Sequence, residues 1–365
     1  MTTTKLYEIY KNKRVLVTGH TGFKGSWLAI WLKELGADVV GYALEPDTQP
    51  NNYMACNLGA HINHIIGDVR DLDHLKKIFQ EYKPEFVFHL AAQAIVRRSY
   101  SEPKMTFDTN VGGTINILEA IRLNPTVRAF VNVTSDKCYE NREWLWGYRE
   151  CDPMGGNDPY SASKGCAELV FNAYLKSFFV GTQTGIASVR AGNVIGGGDW
   201  AEDRLIPDCV RALVQDKPVG VRNPGAIRPW QHVLEPIAGY LWLGTLIHEN
   251  PEFHRGSWNF GPNDSDHLRV GDVVGKFIEQ WGSGKWLDTS TPDSPHEAFT
   301  LRLCCDKAHT YLKWHNTLNI EQCLNMTADW YKSFYAGDKN MFDVCTQQIR
   351  TYTKQAKVQK LAWSV

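Results

Sequence analysis

The chain has 365 residues, 43% of them hydrophobic, and a formal net charge of −1. This is material for one large domain or two unequal ones, and the near-neutral balance excludes a general nucleic-acid or membrane-surface binder. No apolar run approaches the roughly 20 residues of a membrane span, and Met1 to Lys13 lacks the apolar centre of a signal peptide.

Nine cysteines are scattered along the chain; only Cys304 and Cys305 are neighbours, and no C-x-x-C occurs. A disulfide framework and a zinc site are both unsupported, no metal is expected, and reduced thiols in a cytoplasmic protein is the plain reading. The thirteen tryptophans are expected chiefly in core and interface packing, with some lining a pocket.

In chain order, Arg14 to Thr18 is an apolar run suited to a buried parallel strand. Gly19-His20-Thr21-Gly22-Phe23-Lys24-Gly25 follows at once, and Ser26 to Leu35 has helical apolar spacing ended by Gly36. Strand, glycine turn and helix together predict a dinucleotide site. Gly19 would make the tight turn, Gly22 would let a pyrophosphate approach the helix N-terminus, and Gly25 would let helix and strand pack closely.

Asp38 to Ala43 reads as the second strand. The acidic residue expected at its end for the ribose hydroxyls is replaced by Ala43-Leu44, with Glu45 and Asp47 slightly later. No arginine stands there to meet a 2′-phosphate, so NAD is favoured over NADP. His61 to Ile66 is the third strand, followed by Gly67, Asp68 and Val69. Asp68 is suited either to the adenine amine or to capping the helix Leu72 to Tyr82, for which Asp71 is the better-placed cap. Pro84 to Leu90 is the fourth strand, and the small Ala91 and Ala92 after it would admit the ribose or nicotinamide. A helix is predicted from Pro103 to Leu123, a fifth strand from Ala129 to Val133, and then Thr134-Ser135-Asp136-Lys137.

Tyr160 and Lys164 open the next helix. Four residues apart, they share a face. A lysine ammonium beside a phenol favours the phenolate, so Tyr160 is a candidate base near neutral pH; the alternative is an ordinary amphipathic helix start. Alternation of strands and helices to residue 190 predicts an α/β fold, a doubly wound parallel sheet of Rossmann type. Its strand carboxyl ends would bring the glycine turn, Ala91 to Gln93, Thr134 to Lys137 and the Tyr160 helix to one cleft.

Beyond residue 190 the rhythm breaks into the glycine-rich Arg190 to Trp200 segment. Helices are expected after Arg204, at 235–248, 271–281 and 320–335, with a short strand at Trp258 to Phe260 rejoining the main sheet. The predicted division is a dinucleotide domain at 1–190, with 233–260 returning to it, and a smaller discontinuous α/β substrate domain at 191–232 and 261–365. Arg204 and Arg228 are suited to clamping a diphosphate or to plain surface charge. The tail after Ala336 is polar and suggests no role.

These marks identify the chain as resembling the extended short-chain dehydrogenase/reductase superfamily: a G-x-x-G-x-x-G turn, a serine after strand five, and Y-x-x-x-K. The longer blocks Thr134 to Tyr139, Asn141 to Trp144, Arg190 to Trp200 and Arg228 to Val233 resemble the CDP-glucose 4,6-dehydratases within it. That resemblance implies an NAD-dependent hydro-lyase of deoxysugar biosynthesis acting on CDP-glucose. Tyr160 would take the proton of the sugar's 4-hydroxyl, Lys164 would keep Tyr160 ionised, and Ser135 (or Thr134) would hold the same oxygen. Asp136 as acid and Lys137 as base would remove water across carbons 5 and 6, which demands a protonated Asp136 and a neutral Lys137; an ion pair that only shapes the loop is the alternative.

The implied cofactor contacts are Gly19 to Gly25, Asp68, Val69, Leu90, Ala91, Ala92, Tyr160 and Lys164. The implied substrate contacts are Gln93, Ser135, Asn193, Arg204 and Arg228. A homodimer built on the 103–123 helix and the Tyr160 helix is also implied. Rival expectations are a nucleotide-sugar 4-epimerase, a dehydratase of another nucleotide sugar, a net dehydrogenase and a non-catalytic NAD-sensing scaffold.

Overall fold

The structure is a computed structural model that describes residues 4–263, 267–290 and 301–365. Seven strands form one parallel sheet among the described residues: β1 (Arg14–Thr18), β2 (Asp38–Ala43), β3 (Asn63–Ile66), β4 (Phe86–His89), β5 (Ala129–Val133), β6 (Gly185–Ala191) and β7 (Gly256–Phe260). Their spatial order is β7-β6-β5-β4-β1-β2-β3. From β1 the chain winds outward through β2 and β3, then returns to β4 and winds the other way. The winding reverses between β1 and β4, and the crevice at their carboxyl ends is the place such a sheet offers a ligand.

The middle strands are apolar on both faces because helices cover both sides; every residue of β5 and β6 is buried. Helix α1 (Phe23–Glu34) starts three residues before its apolar run and is buried from Gly25 to Leu32. Gly36, at φ +77°, ends it by a left-handed turn that glycine takes without strain. Helix α2 (Leu72–Tyr82) is capped by Asp71, whose Oδ1 accepts from His74 N at 2.9 Å. The helix expected at 103–123 is present as Pro103–Phe107 and Gly113–Arg122 joined by a π turn at Asp108–Gly112 (together α3). Helix α4 (Pro159–Tyr174) has proline in its first turn and Asp158 as cap, accepting from Ser161 N at 2.9 Å. Two strands are shorter than expected. β3 begins at Asn63 because Leu58–Ala60 forms a 3₁₀ turn, and β4 loses the Pro84 end.

Beyond β6 lie α5 (Leu205–Val214), α6 (Leu234–Glu249), α7 (Val270–Trp281) and α8 (Ile320–Ala336). Between α6 and α7 the chain re-enters the main sheet as expected, with Trp258 opposite Val189. The polar tail is not loose. It forms α9 (Met341–Val358), burying Cys345, Ile349, Tyr352 and Ala356. Arg350 pairs with Glu34 of α1 at 2.7 Å, and Trp363 packs edge-on against Trp31 with ring centroids 5.8 Å apart. The tail thus covers the outer side of α1, which explains a helix apolar all round.

Candidate active site

The glycine turn is built as its spacing predicts. Gly19 sits at φ +77°, its N–H donates to Tyr42 O at 2.9 Å, and a Cβ there would lie 2.7 Å from Ala91 N. A Cβ on Gly25 would stand 2.1 Å from Gly19 O, so α1 reaches the strand only through glycine. Gly22 is the N-cap of α1 and makes no side-chain cap bond, leaving the first-turn N–H groups to an anion. The Thr21 hydroxyl donates to Leu44 O at 2.9 Å and ties the turn to β2. His20 is fully buried, with its ring where a Cβ on Gly41 would fall and its Nε2 2.7 Å from His64 Nδ1. Burial, then the neighbouring His64, pushes its pKa down to about 3, so it packs as a neutral ring.

At the end of β3, Asp68 accepts from Arg70 N at 2.9 Å and pairs with its guanidinium, while Asp71 takes the cap. Val69 is buried against Gly113 of α3. After β4, the Leu90 and Ala91 N–H groups both donate to Thr18 Oγ1 at 3.2 Å, which holds the alanine corner open beside the turn. Gln93 is buried, and its amide bonds within the protein to Ile95 and Thr106.

The loop after β5 sets three polar side chains close to α4. Ser135 Oγ donates to Asp136 Oδ1 at 2.9 Å, accepts from Lys137 N at 3.2 Å, and is close enough to the Tyr160 phenol to act on it. Asp136 is 4% exposed, and burial holds its carboxyl above the usual range against the opposing pull of Lys137 and the Ser135 bond. Its carboxylate fits beside Gly192, where a Cβ would come within 3.1 Å of Oδ2. Lys137, next in the chain, is exposed. The adjacent pair therefore divides into one buried acid and one solvated amine.

Tyr160 and Lys164 share a face of α4, both at most 7% exposed. The expected electrostatics differ in one respect. Tyr160 is pushed up to about 12 by burial, with the neighbouring Ser135 hydroxyl opposing, rather than drawn toward neutrality. Lys164 Nζ stands 6.0 Å from the centre of the phenol ring, and burial lowers its own pKa to about 8. Desolvation outweighs a cation at that separation.

Two further cations face this group. Lys24 of the glycine turn is lowered to about 8, by burial first and then by Arg204 and Lys164, while Asp136 opposes. Arg204, just before α5, is held by Asp199 Oδ2 at 2.8 Å and acts on Tyr160. Lys24, Ser135, Asp136, Tyr160, Lys164 and Arg204 thus meet at one cleft. Arg228 is carried on the short strand Ile227–Pro229, and Asn193 O accepts from Gln231 N at 3.2 Å. Sequence reasoning gave Lys24 only a cofactor role and missed Glu168 and Arg190, which form a fully buried ion pair behind Lys164. The signal for Glu168 was present: residues 160, 164 and 168 fall on one helical face.

A sequence model described as GDP-mannose 4,6 dehydratase matches residues 16–327. The chain belongs to that family. Among its relatives, a CDP-glucose 4,6-dehydratase of Salmonella typhimurium is 49% identical over 93% of this chain and 95% of its own length. A dTDP-glucose 4,6-dehydratase of Haemophilus influenzae is 28% identical over 87% of this chain and 97% of its own. In fold, the chain is similar to a dTDP-glucose 4,6-dehydratase of Streptomyces venezuelae, solved with NAD bound (TM-score 0.75, 22% identity, 90% of this chain and 99% of that one). A UDP-glucose 4-epimerase of Thermotoga maritima is as similar (TM-score 0.75, 21% identity, 88% and 99%).

Proposed function

We propose that the protein is a CDP-glucose 4,6-dehydratase that uses NAD and yields CDP-4-keto-6-deoxyglucose. The observation that carries this over a 4-epimerase is Asp136: a buried carboxyl, held toward its protonated form, hydrogen-bonded to Ser135 beside Tyr160. Epimerisation needs the redox tyrosine alone, whereas dehydration also needs an acid for a departing hydroxyl. The 49% identity to a CDP-glucose enzyme supports the nucleotide.

The residues present fit the dinucleotide. The Gly22 cradle and the uncapped start of α1 suit the pyrophosphate, and the alanine corner after β4 suits the ribose and nicotinamide. When bound, NAD supplies the acceptor for the sugar's hydride and later its donor. Tyr160 takes the proton of the 4-hydroxyl while Ser135 holds the same oxygen. Lys164, charged below about pH 8, and Arg204 supply positive charge near the phenol. The ketone at carbon 4 makes the carbon-5 proton acidic. Lys137 accepts that proton, and Asp136 gives its own to the hydroxyl leaving carbon 6. Lys137 is exposed here, so the sugar itself would cover it. Arg204, Arg228 and Asn193 would meet the diphosphate, in a substrate-binding part formed by residues 191–232 and 261–365.

A homodimer is part of the same proposal. Leu123 beside α3, with Leu169 and Phe178 on and just past α4, leaves large apolar side chains 49–60% exposed on the two predicted interface helices. Nine free cysteines support a reducing, cytoplasmic setting.

Incubation with CDP-, dTDP-, GDP- and UDP-glucose side by side tests the reading. Loss of water from the CDP sugar, seen as a mass change, is expected; CDP-galactose as product would mean epimerisation. Lys137→Met is expected to leave cofactor reduction by bound substrate intact and to cut carbon-5 deuterium exchange by about 10²-fold or more. Undiminished exchange would remove Lys137 from the role of base.

A further inference from the structure

Behind the catalytic loop lies a buried ion pair that the proposed chemistry does not use. Glu168 stands one turn beyond Lys164 on α4, and its carboxylate meets Arg190 Nη2 at 2.6 Å, with both side chains at most 1% exposed. The carboxylate also accepts from Thr134 Oγ1 at 2.5 Å, Ser188 Oγ at 2.7 Å and Ser257 Oγ at 3.2 Å. Arg190 Nη1 donates to the Tyr139 hydroxyl at 2.7 Å, and that hydroxyl donates to Asn259 Oδ1 at 2.8 Å. Thr134 and Tyr139 are the two ends of the turn that carries Ser135, Asp136 and Lys137.

We infer that Glu168 and Arg190 are a positioning pair that clamps both ends of the Thr134–Tyr139 turn and sets a fixed negative charge one turn behind Lys164, so that redox helix and elimination loop keep one relative geometry. Replacing a buried pair with apolar residues is often neutral for stability, so stability alone does not explain this arrangement of an ion pair with hydroxyl tethers. Its geometry serves both catalytic elements: α4 brings Glu168, β6 brings Arg190 and Ser188, and β7 brings Ser257 and Asn259. The groups acting on Lys164 agree, since burial lowers its pKa while Glu168 and Cys138 pull it back up.

The inference rests on the proposed roles of Tyr160 and Lys164. In Glu168→Gln the alkaline limb of kcat/KM is expected to move down by about one pH unit, a roughly tenfold loss at the alkaline end with a smaller loss near pH 6.5. Glu168→Gln with Arg190→Gln leaves no buried charge unpaired, yet its limb should stay displaced, because the negative charge behind Lys164 is still missing; a limb back at the parental position would overturn the charge role. Tyr139→Phe and Thr134→Val keep the ion pair and remove one tether each. Both should slow carbon-5 exchange about tenfold while KM and the thermal midpoint barely change. A parental limb in Glu168→Gln overturns the charge role. Parental exchange in both tether variants overturns the clamp, and these two variants decide the matter if Glu168→Gln does not fold. Tyr160→Phe and Lys164→Met run alongside: if they turn over at the parental rate, the reading of the redox centre has failed, and the inference fails with it. If they are inactive, a negative result in the other variants counts against the positioning pair alone.

Discussion

Tyr160→Phe should lower kcat by about 10³-fold or more with little change in fold or in nucleotide affinity, measured by product formation and by equilibrium binding of CDP. The phenol is the group proposed to take the 4-hydroxyl proton, and phenylalanine keeps its shape in a pocket where the ring is 7% exposed. Because Tyr160 is pushed up to about 12 in the unliganded cleft, almost no phenolate exists at neutral pH before substrate and cofactor arrive. The proton must leave as charge is assembled around it: Lys164 and Arg204 supply part of it, and a bound NAD would add the positive charge of its ring. The same electrostatics set the alkaline limb of kcat/KM near pH 8, where free Lys164 loses its proton. A variant retaining a tenth of parental turnover would show that another group takes the proton.

Asp136→Asn should divide the reaction. Oxidation at carbon 4, assigned in the proposal to Tyr160 and Ser135, should survive, whereas departure of the 6-hydroxyl would lose its proposed acid. Turnover is expected to fall by about 10²–10³-fold, with the reduced cofactor accumulating on the enzyme, visible in its absorbance. The substitution should not destabilise the protein. Burial raises the Asp136 carboxyl above its unfolded value, so folding favours the protonated form. That stability is fully present below the usual carboxylate range and is lost as pH rises through the folded value. An asparagine carries no such charge, and the thermal midpoint at neutral pH should stay level or rise. Parental turnover in Asp136→Asn would remove it as the acid.

Much of the fold was legible because its signals are local. β1, β2, β5 and α2 begin and end where apolar runs and caps said, since a buried parallel strand must be apolar on both faces and a helix must cap its first N–H groups. The tail was not read as structured, although its helix carries a signal. Residues 345, 349, 352 and 356 keep a helical stripe, but cysteine, tyrosine and alanine make it faint, and the partner surface on α1 lies three hundred residues away.

By itself, the sequence determined the dinucleotide turn and the pairing of Tyr160 with Lys164, because glycine spacing and the helical period act within a few residues. It also marked Ser135, Asp136 and Lys137 by their place after a strand. What only the tertiary structure decided is how these groups differ in charge and support. Adjacent Asp136 and Lys137 are, in the fold, one buried and one exposed. Lys24 and Arg204, 180 residues apart in number, act on each other across the cleft. Glu168 and Arg190 become partners because α4 and β6 cross behind the loop. Desolvation and Coulomb forces depend on what surrounds a group in space, and that is settled when the sheet closes, not by the order of residues along the chain.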